Sequence, residues 1–275
     1  MAAIVNDTYT DVVVYADGST QLEHDKLGYD NAFDRKAPGY VRVVDGDRQI
    51  GPSGWAYAIY AGDKEVTTDA SGMGIAHIRD AETWAAMEGI TEARRRFGAK
   101  VSITVVTDAT SLFVMGVAYG KGMVDVTTAP DMQDAVRNSM KFAGDDFARM
   151  SVEMQNAFLA FDFTGVKVRT VRSHSEKPGR ASQITPEDFR GNALVDKLAG
   201  TAMRSVKYDP RDVFVLRDAA EAAGKARRAA VAKAEVAAAN AAQQTANSDR
   251  AKREAAKKAK AAEQSAAAKA RKKGH

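Results

Sequence analysis

The chain has 275 residues, 45% hydrophobic and 28% charged, so it can bury one sizeable core and carry an appendage without requiring a second catalytic domain. It has no cysteine, which excludes a disulfide framework and a thiolate metal centre. The net charge of +4 conceals a division: residues 212–275 hold 15 Lys and Arg against 7 Asp and Glu, net +8, which leaves residues 1–211 at −4.

Met1 to Asp11 shows neither a basic n-region nor a long apolar h-region, and no apolar run approaches membrane-spanning length. A soluble, cytoplasmic protein without a membrane partner is expected. Val12 to Tyr15 then form an apolar, β-branched run that leads through Ala16 to Asp17, Gly18 and Ser19. This pattern predicts a buried central strand that delivers Asp17 to its end, where a charge needs a partner or a metal. Asp-Gly-Ser after a strand is also an ordinary turn.

An irregular segment, about residues 20–53, follows; it is rich in Gly and Pro and too long for a simple connection, so it reads as an insertion. Tyr40 to Val44 within it could form a short extra strand. Gly54–Tyr60 and Lys64–Thr68 are expected to pair antiparallel across a tight turn at Ala61-Gly62-Asp63. A helix is expected from about Arg79 to Phe97, stopped by Gly98, with Trp84, Met87, Ile90 and Ala93 or Arg94 along one stripe. Glu82 lies near its start, where an acid can also be a first-turn residue favoured by the helix dipole.

Val101 to Thr107 read as a second buried strand ending in Asp108, followed at once by the helix-like Ser111 to Met115. A strand, a helix and a further strand imply a right-handed crossover, with parallel strands whose carboxyl ends share one ligand-binding edge. Asp17 and Asp108 fall side by side there if their strands are neighbours. Asp108 could equally cap the next helix. Mixed helix is expected over Tyr119–Phe163, with only Lys121, Arg137, Lys141 and Arg149 as basic residues. Val166 to Arg172 alternate apolar and charged residues, as a strand with one solvated face does. A Gly- and Pro-containing loop holds His174, which in isolation is an ordinary surface residue. A helix spanning Gly191 to Ala199 carries Asn192 and Asp196.

Past Pro210 the composition turns to Ala, Lys, Arg, Gln and Glu, with almost no large apolar residue. Such a segment can be helical but cannot bury a core. Residues 212–275 therefore read as a solvated basic extension of a domain at 1–211. A basic tail on an acidic body suits a polyanion partner, and equally suits plain solubility. Nothing in the pattern sets an oligomeric state.

The ordered set Asp17-Gly-Ser, Glu82 in its helix, Asp108 after a strand, His174 in a loop and Asn192-x-x-x-Asp196 in a late helix resembles the type 1 ribonuclease H family over about residues 10–205. The resemblance implies an α/β ribonuclease H-like fold, a mixed five-stranded sheet flanked by helices. It also implies a metal-dependent endonuclease that hydrolyses the RNA strand of RNA/DNA hybrids and leaves 5′-phosphates. By that likeness Asp17, Glu82, Asp108 and Asp196 hold two Mg²⁺ or Mn²⁺ ions, with Asp17 bridging them, and His174 assists proton movement or product release. Four clustered carboxylates would raise one another's pKa unless cations compensate, and all-oxygen ligands favour these hard ions. Two of them roughly 3.5–4 Å apart suit in-line phosphoryl displacement. The segment Gly74 to Asp80 lacks the Asn residues with which many family members read the duplex, so hybrid reading there must use other groups. Another nuclease on the same fold, of resolvase or exonuclease type, and a non-catalytic nucleic-acid-binding protein relying on the tail are the alternatives.

Overall fold

The computed structural model describes residues 11–21, 50–172 and 184–209, with scattered helical positions between 212 and 243. His174, the candidate strand Tyr40–Val44, most of the insertion and most of the tail lie outside the described residues.

A single mixed sheet carries the fold. Its strands are β1 (Asp11–Thr20), β2 (Ile50–Ala61), β3 (Lys64–His77), β4 (Ser102–Thr107), β5 (Val124–Asp125) and β6 (Lys167–Thr170), in the spatial order β3-β2-β1-β4-β6-β5. The first three pair antiparallel, whereas β1 with β4, β4 with β6 and β6 with β5 run parallel. The helices are α1 (Ile78–Phe97), α2 (Thr110–Ala118), α3 (Pro130–Ser139), α4 (Ala143–Arg149), α5 (Val152–Ala160) and α6 (Pro186–Ser205). Among the described residues six strands stand where five were expected, because Val124 and Asp125 add a short parallel edge to β6.

Alternation along the strands sorts side chains into two layers, since neighbouring residues point to opposite faces. Val12, Val14 and Ala16 of β1, with Tyr57 and Ile59 of β2 and Ile103 and Val105 of β4, pack with Ala86 and Ile90 of α1. Tyr15, Ala56, Ala58 and Val106 pack on the other face with Val195 and Ala199 of α6. Val14, Ile59 and Ile90 are wholly buried, each worth about 1.5–3 kcal/mol over an exposed position.

Several expected boundaries move. Asp17-Gly18-Ser19 is not a turn: β1 continues to Thr20, and its ladder with β2 runs through Asp17↔Ala56 to Thr20↔Ser53. Ile50–Ser53, expected within the irregular segment, belong to β2, and β3 extends past Thr68 to His77. Close packing explains why glycine is needed here. A Cβ on Gly18 would lie 2.4 Å from the backbone nitrogen of Glu82, and one on Gly54 would lie 2.3 Å from that of Met203. Gly54 pairs with Ser19, next to Gly18, so α1 presses on one face of the sheet and α6 on the other at almost the same level.

The chain divides into two compact units, Met1–Glu221 and Ala222–His275. The described residues between 212 and 243 are helical. No helix among the described residues is long and apolar enough to cross a membrane.

Candidate active site

Parallel pairing places Tyr15 opposite Val106. Two residues further along both strands, Asp17 comes level with Asp108 at the carboxyl end of β4. Asp17 shares the strand parity of Tyr15, whose ring lies in the layer with α6, the helix that carries Asp196. Glu82 arrives from the opposite side: α1 crosses β1 at Gly18, one residue beyond Asp17, with its Ala81–Glu82 backbone in contact range.

Electrostatics registers the same convergence. Burial pushes the Asp17 carboxyl well above the usual carboxylate range, and the charges of Asp108, Glu82 and Asp196 push it in the same direction. Its partial compensation is a 2.8 Å hydrogen bond donated by the Gly18 backbone N–H. Glu82 is raised to about 7, mainly by burial and further by Asp108, while Arg79 opposes the shift. Three carboxylates thus act on a fourth that is 7% exposed, an arrangement that costs free energy unless a cation or protons offset it.

The local structure disposes of two alternatives. Asp108 does not cap the following helix, whose N-cap is Ala109 with no side-chain bond. Glu82 is not a first-turn acid, because α1 begins at Ile78 and its first-turn acid is Asp80. Asp196 is exposed, and one turn earlier the buried Asn192 leaves Oδ1 without a hydrogen-bond partner among the described residues.

The donor set suits a hard divalent cation: four carboxylates with mutual repulsion, an amide oxygen nearby on α6, and no sulfur. Among the described residues, however, no three His, Cys, Asp or Glu side chains are gathered into a ready metal cage. Glu82 Oε2 instead accepts from Arg79 Nη1 at 3.2 Å. Beside Asp108 opens a cavity of about 380 Å³, bordered by Thr110, Asp131, Met132, Val171 and Arg172, with Asp131 and Arg172 paired across it.

No family model and no curated protein matches the chain. Solved structures do. The N-terminal ribonuclease H domain of a Mycobacterium tuberculosis protein is 16% identical, covering 71% of this chain and 95% of its own, with a TM-score of 0.35. Ribonuclease H1 of the archaeon Halobacterium salinarum is 18% identical, covering 71% and 99%, with a TM-score of 0.33. The LC11 ribonuclease H1, solved in complex with an RNA/DNA hybrid, is 15% identical, covering 70% and 96%, with a TM-score of 0.34. The chain is similar to ribonuclease H1 structures.

Around these four carboxylates lie charged groups that the sequence pattern does not single out. Arg79 pairs with Glu82 and also with Asp146 of α4, at 3.3 Å. The spacing of Arg79 and Glu82, i to i+3 on a helix, is a legible signal for the first of these pairs. Nothing in the sequence marks Asp146 as the second. Asp188, buried in the first turn of α6, accepts from Tyr15 Oη at 3.2 Å and from Arg169 Nη2 at 2.8 Å, tying α6 to β1 and β6. Asp80, raised to about 6 chiefly by burial, accepts from the backbone N–H of Ser151 at the start of α5.

Proposed function

We propose that this protein is a metal-dependent endonuclease that hydrolyses the RNA strand of RNA/DNA hybrids. The observation that carries the reading is the convergence of Asp108, Glu82 and Asp196 on buried Asp17, which lies within β1 beside the carboxyl end of the adjacent parallel strand β4. Asp17, Glu82, Asp108 and Asp196 would hold a pair of Mg²⁺ or Mn²⁺ ions. When bound, these ions supply positive charge where negative charge develops on a phosphodiester.

The residues themselves have separable tasks. Asp17, fixed in the middle of a paired strand, sets the position to which the other acids are referred. Asp108 and the cavity beside it give the scissile strand room to approach. Glu82 enters from α1 and Asp196 from α6, so both faces of the sheet contribute to one centre. His174 is assigned proton movement or product release. Water attacks phosphorus, the bond to the 3′ oxygen breaks, and the products are a 3′-hydroxyl and a 5′-phosphate. The 2′-hydroxyl is the group by which an RNA strand is told from DNA.

The basic C-terminal extension is assigned to non-specific phosphate contacts, and the location is assigned to the cytoplasm. The test is a gel assay on an end-labelled hybrid with Mg²⁺ or with chelator. Metal-dependent cleavage of the RNA strand alone supports the reading. Binding without cleavage would select a nucleic-acid-binding platform, and cleavage of duplex or branched DNA would select another nuclease of the same fold.

A further inference from the structure

Arg79 is held in an unusual position for a cation so close to a group of acids. Its side chain is largely buried, its Nη1 meets Glu82 at 3.2 Å and its Nη2 meets Asp146 at 3.3 Å, so one guanidinium spans two carboxylates from different helices. Asp146 is itself a buried residue, and Arg149, one turn on in α4, stands 4.0 Å from the same Oδ1. Burying a lone guanidinium is costly, whereas a guanidinium with a carboxylate partner is tolerated. With two carboxylates available, Arg79 keeps a partner even when Glu82 points elsewhere.

We infer that Arg79 is a positioning residue that competes with a divalent cation for Glu82, and that Asp146 sets the strength of this competition by offering Arg79 an alternative partner. The inference rests on the metal-binding role proposed for Glu82. The same Oε2 cannot be fully committed to Arg79 and to a metal. When Glu82 turns to the metal, the Arg79–Asp146 pair remains and no buried charge is stranded. Without Asp146 the guanidinium would have Glu82 alone, and releasing that carboxylate would leave Arg79 uncompensated. Asp146 therefore favours metal entry although it is placed as a partner of Arg79, not of the metal.

The test is a double-mutant cycle on the full-length protein, read by calorimetric titration with Mg²⁺ alone and without nucleic acid. Arg79→Met should tighten Mg²⁺ binding and Asp146→Asn should weaken it, each by about tenfold, the size of coupling common between buried charged neighbours. In the Arg79→Met background, Asp146→Asn should change affinity less than about twofold, because Asp146 acts through Arg79. A simple long-range charge effect gives the same two signs but equal effects of Asp146→Asn in both backgrounds, and that additive result would overturn the inference. Should Arg79→Met not fold, Arg79→Gln takes its place: a neutral amide leaves no buried cation for Asp146 to compensate, so the Asp146→Asn effect should again shrink, and an undiminished effect again overturns the inference. Absence of Mg²⁺ binding by the unmodified protein would remove the metal reading itself, a result distinct from additive variants of a protein that binds.

Discussion

Replacing Gly18 by alanine should damage both stability and activity through one point of close packing. The new Cβ would meet the backbone nitrogen of Glu82 at 2.4 Å, the carbonyl carbon of Ala81 at 2.7 Å and the Cβ of Ala81 at 2.8 Å, where ordinary contact begins near 3.4 Å. All three neighbours are backbone or the shortest of side chains, so none can swing away. The first turns of α1 must lift from β1 by about 1 Å, a displacement of the kind that costs about 1–3 kcal/mol when extra volume is forced into a packed site. For a domain of this size that corresponds to a fall in Tm of roughly 2–12 °C. Because the displaced residue is Glu82 and Gly18 adjoins Asp17, a shift of about 1 Å should reduce hybrid cleavage by about 100-fold. The assay is urea unfolding paired with cleavage under conditions where the variant is fully folded. Gly144→Ala is the control: in α4, with nothing within 4 Å of the added Cβ, it should be neutral or stabilise by up to about 1 kcal/mol. Unchanged stability and unchanged cleavage in Gly18→Ala would refute the claim that α1 is seated on β1 at this glycine.

Asp17→Asn should reduce cleavage by at least about 100-fold while raising the stability of the metal-free protein, since it removes a buried charge from among three others; cleavage near that of the unmodified protein would take Asp17 out of the mechanism. Glu82 and Asp80 have folded pKa values raised to about 7 and about 6, so the stability they contribute is full below about pH 4 and is lost as pH rises through 6 and 7. Urea unfolding of the metal-free protein should therefore show stability falling across that window, by up to about 3 kcal/mol from Glu82 alone, and stability that rises there would contradict the burial of these acids. His174→Ala should slow turnover about 10- to 100-fold without abolishing it, the scale of a missing proton-transfer group, and complete inactivity with intact Mg²⁺ binding would assign the imidazole a more central role. Deleting residues 222–275, which hold 14 Lys and Arg against 4 Asp and Glu, should weaken hybrid binding and flatten its salt dependence by about 0.9 in log–log slope for each phosphate that the extension neutralises. Equal slopes with and without these residues would leave the extension without a role in gripping nucleic acid.

Local chemistry is enough to place most elements. β-Branched runs at Val12–Val14 and Val101–Val106, the apolar stripe of α1 and its stop at Gly98 each carry their structural preference in neighbouring residues, and the structure follows them. The sequence brings Asp17 and Asp108 level only if their strands are neighbours, and the pairing of β1 with β4 in the folded sheet supplies that condition. Local chemistry misleads at Asp17-Gly18-Ser19, where turn-forming residues continue as strand. There the deciding force is a helix about 60 residues further along the chain, whose backbone needs the space that only glycine leaves. The same distinction separates the acids from what surrounds them. Asp17 and Asp108 stand out because a carboxylate that follows an apolar, β-branched run is costly and therefore conspicuous, whereas Glu82 and Asp196 stand out only as members of the ordered set. Asp146 looks like any helix acid, and only the tertiary placement of α4, which packs on α2, makes it the second partner of Arg79. Propensity and periodicity act over a few residues and can be read from the chain alone, but a buried charge is defined by the opposite charge that reaches it, and that neighbour is chosen by tertiary structure.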